Sequence, residues 1–177
     1  MPIHIFSAKS LAKKMALNEV SSREYAYYLL GSSLFYTVVY YSGLISGNPM
    51  WSWMSFYEGV VVILVTIVGI AKSFDASGGD GNPNFVTEFT ALSFPVSVTT
   101  VPLVWAAYWA ISMGLQESIV ALANSNLQIA KNLFAIGSNF FGLLLFLCVV
   151  LTQAVIFYRI TKLFHTVRAT GADSNVG

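Results

Sequence analysis

The sequence predicts an all-α, polytopic membrane protein: a transmembrane four-helix bundle with an interfacial amphipathic helix at its outer surface. Three observations carry this reading. The chain has 177 residues, 56% hydrophobic, 15% aromatic and only 10% charged, with a mean hydropathy of +0.68. A soluble domain carries about 25% charged residues, so too few are present here to keep a surface wet. Four runs each reach the roughly 20 apolar residues that cross about 30 Å of hydrocarbon at 1.5 Å per residue. Finally, the basic residues gather at one set of helix ends. The net charge of +1 offers nothing to a nucleic acid. The single cysteine, Cys148, rules out a disulfide framework, a zinc cluster and a dithiol relay.

Residues 1–24 read as a cytoplasmic amphipathic segment. Ile5, Ala8, Leu11, Ala12 and Met15 share a side opposite Lys9, Lys13 and Lys14. Such a helix suits the inner leaflet, where each Lys contributes about 1 kcal/mol near anionic lipid. The first span, 25–45, has no formal charge, and Ser21-Ser22-Arg23-Glu24 before it is a capping box. Ser46-Gly47-Asn48-Pro49-Met50 then makes a tight outer turn. The second span, 53–71, is built on Val60-Val61-Val62-Ile63-Leu64-Val65 and contains Glu58, the only acid in a span. An intramembrane ionisable group is by default a functional candidate, although Glu58 lies shallow enough for its carboxylate to reach the outer interface.

An inner connection follows, Lys72 to Phe85, with Gly78, Gly79, Gly81, Asp75 and Asp80. It lacks the D-x-[DN]-x-[DN]-G register of a calcium loop and the G-K-[ST] of a phosphate loop, so a flexible cytoplasmic hairpin is expected. Ala76-Ser77-Gly78-Gly79-Asp80-Gly81, with Phe85, Phe89 and Leu92-Ser93, resembles a loop in small, uncharacterised four-helix bacterial inner-membrane proteins. There it joins the second and third helices. The resemblance implies a bacterial four-helix membrane protein and brings no activity with it.

The third span, 91–113, carries a hydroxyl stripe of Thr90, Ser93, Ser97 and Thr100, and two helix breakers, Pro95 and Pro102. Each proline leaves a backbone carbonyl without its donor. The stripe suits close helix packing, with Gly31-Ser32-Ser33 and Gly137-Ser138-Asn139 plus Gly142 as facing surfaces. The lining of a pore or a broken transporter helix is the second reading; packing is favoured because its contacts need no further function. In residues 114–132, Gln116, Glu117, Asn124, Gln128 and Lys131 oppose Leu115, Ile119, Leu122, Leu127 and Ile129. That 3.6-residue pattern predicts a helix on the outer surface, or an extension of the next span. The fourth span, 133–158, is the most apolar, and residues 159–177 form a basic tail expected to be disordered.

Tyr25, Tyr27 and Tyr28 mark the inner interface. Tyr40, Tyr41, Trp51, Trp53, Trp105, Tyr108 and Trp109 mark the outer one. Lys9, Lys13, Lys14, Arg23, Lys72, Arg159, Lys162 and Arg168 lie on one side and only Lys131 on the other, which places both termini in the cytoplasm. His4 and His165 are far apart, no H-E-x-x-H or G-x-S-x-G spacing occurs, and Cys148 sits mid-span where a thiol is inert. No catalytic residue, cofactor site, metal site or enzymatic activity is therefore expected. The expected role is helix-mediated assembly in the inner-membrane bilayer, as an accessory, immunity-type or scaffold subunit joined to its own copies or to another membrane protein. The alternative is an oligomeric channel or small-solute transporter lined by the hydroxyl stripe.

Overall fold

The computed structural model describes residues 7–45, 53–125 and 127–174, with side chains at 7–36, 38–39, 56–122 and 141–170. These residues form five helices: α1 (Ala8–Ala16), α2 (Ser22–Ile45), α3 (Trp53–Ser77), α4 (Phe85–Ser125) and α5 (Leu127–Ser174). A short 3-10 turn, Gly79–Gly81, joins α3 to α4. The described residues contain no strand. Three helical stretches are long and apolar enough to cross a membrane: Phe56–Ser77, Phe85–Leu122 and Phe141–Thr170.

Local signals set the boundaries near the basic end. The Ser7 hydroxyl accepts from the Ser10 N–H at 3.4 Å to start α1. A Schellman motif stops it: the Glu19 N–H donates to the Lys14 carbonyl and that of Asn18 to Met15, with Asn18 left-handed at φ 53°. The capping box forms as expected. The Ser21 N–H donates to Glu24 Oε2 at 3.0 Å and the Glu24 N–H returns to Ser21 Oγ at 3.3 Å. Lys14 Nζ lies 3.8 Å from Glu24 Oε1, tying α1 to that cap.

The helices pack in the order α2–α4–α5–α3, with α1 across α4 and α5. Among the described residues α2 and α3 share no extended seam. Among the described residues the arrangement is thus an open row; of the expected transmembrane four-helix bundle, the all-helical fold and three helices long and apolar enough to span are seen. Its reason lies in the side chains: α4 offers small or hydroxylated faces to α2, and α3 brings Gly69 against α5. The core gathers at the basic end, where Leu11, Ala12, Met15, Leu92, Val96, Ile160 and Phe164 are nearly or fully buried. Phe85 joins this core to the turn, with ring centroids 5.2 Å from Phe74, 5.5 Å from Phe89 and 5.7 Å from Phe164.

Five expectations change here. The apolar side of α1 (Ala8, Leu11, Ala12, Met15) is buried against the protein, so it is not free to lie on lipid. The connection read as a flexible hairpin is short and ordered. Gly78 takes φ 111°, Asn82 Nδ2 donates to Glu88 Oε2 at 2.8 Å, and Asn82 Oδ1 accepts from the Asn84 N–H at 3.0 Å. Residues 114–132 are not one interfacial helix: 114–125 finish α4, while 127–132 begin α5. The tail read as disordered continues α5 to Ser174. Tyr28 is likewise 2% exposed and packs edge-on against Phe94, inside the protein rather than at an interface.

Several sequence readings fall outside the described residues: the 46–50 turn, His4 and Trp51. So do the side chains of Tyr40, Tyr41, Trp53, Lys131, Gly137, Ser138 and Asn139.

Candidate functional site

The hydroxyl stripe of α4 lies at the seam between α2 and α5. Ser93, Ser97 and Thr100 are buried, and Thr90 is half-buried. Two of the four bond within their own helix: Thr90 Oγ1 donates to the Val86 carbonyl at 2.7 Å, and Ser93 Oγ to Thr90 at 2.8 Å. Ser97 Oγ lies 3.0 Å from Tyr36 Oη of α2. Thr100 Oγ1 accepts from Arg159 Nη1 at 2.7 Å, and the same nitrogen donates to Thr99 Oγ1 at 2.9 Å. The stripe thus serves both neighbours, a hydroxyl to α2 and a cation from α5.

Arg159 is the residue whose partners sequence reasoning missed. Helical side chains tilt toward the helix N-terminus, so Arg159 points away from the basic end and into the row. Thr99 lies 14 residues into α4, about 21 Å of rise from Phe85. The guanidinium is therefore held within the row, on the stripe face of α4. It donates to the two threonines, while among the described residues Lys14 pairs with Glu24. The available signal was the apolar run resuming after Arg159, in Ile160, Leu163, Phe164 and Val167. Thr99 and Tyr36 were missed because each needs a neighbour more than 55 residues away.

Glu58 does not come near this charge. Ser73 Oγ lies 3.1 Å from Thr161 Oγ1, and a Cβ built on Gly69 would land on the Phe157 ring. Both pairs set one register between α3 and α5. That register puts Glu58 level with Phe146, 13 residues and about 20 Å of rise from Arg159. Glu58 is half-buried in the second turn of α3.

Pro95 and Pro102 both sit inside α4 without breaking it; Pro95 is buried and Pro102 exposed. Thr99 Oγ1 donates to the Pro95 and Val96 carbonyls at 2.9 and 3.0 Å. Gly31-Ser32-Ser33 does face α4. Ser32 Oγ makes a long 3.5 Å contact to the Thr90 carbonyl, and Gly31 lies under the Phe94 ring. Gly142 faces open space. Among the described residues no group of three or more His, Cys, Asp or Glu side chains comes together.

Compared with known proteins, the chain matches no family model, no curated protein and no solved structure.

Proposed function

We propose that this chain is a multi-pass bacterial inner-membrane protein acting through helix-mediated assembly, as an accessory, immunity-type or scaffold subunit without enzymatic activity. On this reading α2 is the fourth span. Its 24 residues cover about 36 Å, and Leu29, Leu30, Leu34 and Val38 are exposed as lipid-facing residues would be.

The carrying observation is the length of the α4–α5 hairpin. α3 and α4 meet at one turn, yet α4 has 41 residues against 25 in α3, so about 24 Å of α4 runs past the start of α3. Along this stretch Trp109, Ile111, Met113, Val120 and Leu122 are exposed beside Gln116 and Glu117. Large apolar side chains displayed with polar neighbours suit another protein surface. Burial of the hydroxyl stripe also supports packing over pore lining.

The test is chemical crosslinking of the chain in native membranes, read by size against its 19.3 kDa. A homo-oligomer or a heterologous adduct is expected; a chain that stays monomeric and captures nothing would sink the reading. Both termini are placed in the cytoplasm by the positive-inside pattern. A reporter fused after Gly177 should then be active only on that side, and an external signal overturns the topology.

The rival reading is a channel or small-solute transporter lined by Thr90, Ser93, Ser97 and Thr100. The observation favouring it is Arg159, whose guanidinium meets the stripe at Thr100, since ionisable groups inside a bundle of spans often mark a solute path. Cysteines placed along 90–100 and probed with water-soluble thiol reagents separate the two readings. Labelling confined to the four stripe positions favours the pore, and uniform protection favours packing.

A further inference from the structure

We propose that the cleft between α3 and α5 binds one anionic phospholipid, an acyl chain lying along the cleft and the phosphate meeting Lys72. This rests on reading α3 and α5 as membrane spans, and it goes beyond the assembly role. The cleft is about 540 Å3 in volume, within the roughly 300–1,000 Å3 of ligand sites. It runs from Leu64 to Lys72 on α3, eight residues or about 12 Å of rise. Leu64, Val68, Ala154 and Phe157 make its apolar wall, and Lys72 with Thr161 closes one end with polar groups.

Gly69 presents no side chain, so the Phe157 ring lies directly on the α3 backbone beside the cleft. Below that contact, the Ser73–Thr161 hydroxyl pair at 3.1 Å holds the helices together.

Size and charge both select the occupant. A volume of 540 Å3 over that length gives a mean section of about 45 Å2, against roughly 80 Å2 for a helix about 10 Å across. A flexible hydrocarbon chain fits a section of that size. Among the described residues that line it, the charged one is Lys72. Lys162 follows Thr161 directly, and the ion pair recorded among the described residues lies elsewhere, between Lys14 and Glu24. A phosphodiester supplies acceptor oxygens and negative charge, and basic pockets between spans take such headgroups. A free phosphate would satisfy Lys72 and leave the apolar wall empty.

The test is native mass spectrometry of the full chain, incubated with equal amounts of phosphatidylglycerol and phosphatidylcholine bearing the same acyl chains. The same preparation is first tested for resistance to alkaline carbonate extraction. One bound phosphatidylglycerol is expected, preferred over phosphatidylcholine by about fivefold for one interfacial lysine. Lys72→Gln should bring that preference toward unity, and Lys72→Arg should keep it. Ala154→Leu, which narrows the cleft, should lower occupancy by both lipids. Equal binding of the two lipids by the natural chain overturns the proposal. So does an unchanged preference in Lys72→Gln, or inorganic phosphate binding as well as the phospholipid with the same dependence on Lys72. Release by carbonate removes the span reading and the site with it; resistance without lipid preference removes the site alone.

Discussion

At the residue scale the central fact is a guanidinium held by two hydroxyls. Arg159 donates to Thr99 and Thr100 within the row, and a guanidinium carries a charge with donors only. Removing the acceptors leaves that charge in place without compensation, whereas removing the charge with a side chain of similar length leaves two neutral hydroxyls. The paired change Thr99→Val with Thr100→Val should therefore destabilise the fold by about 3 kcal/mol, and Arg159→Met by less than about 1 kcal/mol. Unfolding in mixed detergent micelles measures both, and the reverse order contradicts the arrangement. The Ser21–Glu24 cap gives a second, more local expectation. Ser21→Ala should cost about 1 kcal/mol in the same assay, and no measurable change would mean that the box does not hold α2.

At the element scale the packing turns on two glycines with different outcomes. A methyl group at Gly69 meets the Phe157 ring at its root, Cγ, which cannot swing away without moving α5. At Gly31 it meets the tip of Phe94, Cζ at 2.7 Å, which can. Gly69→Ala should cost roughly 1–3 kcal/mol, as overpacked cores do, with recovery in the Gly69→Ala/Phe157→Ala double variant. Gly31→Ala should be nearly neutral, and equal costs at the two sites would contradict the α3–α5 register. These elements also show what was legible in the sequence. The capping box was, because its four residues are adjacent and its bonds local. The hydroxyl stripe was, because three- and four-residue spacing defines a helix face. The Arg159 clamp was not, because it joins positions 59 and 60 residues apart. Nor were the end of α4 at Ser125 and the start of α5 at Leu127, because one amphipathic pattern runs through the ends of both helices. The ordered turn was hidden by its own composition: glycines that suggested mobility supply the positive φ at 78 and 79 that lets a tight connection close.

At the scale of the molecule, the order α2–α4–α5–α3 leaves an open row with a compact base and a long exposed hairpin. Charge counting could place the basic end, since it needs only positions along the chain; the neighbour order needs the side-chain fit and was not readable. A closed bundle would bury its own faces, whereas an open row keeps Trp109, Met113, Val120 and Leu122 displayed along the hairpin. Those side chains should find a protein surface, while Val38 and Ile63, exposed on α2 and α3, should find lipid. The most direct measurement is photo-crosslinking in native membranes, with the reactive group placed in turn at 109, 120, 38 and 63. The expected result is a discrete protein adduct from positions 109 and 120 and none from 38 and 63. Adducts from no position, or equally from all four, would contradict assembly through the hairpin.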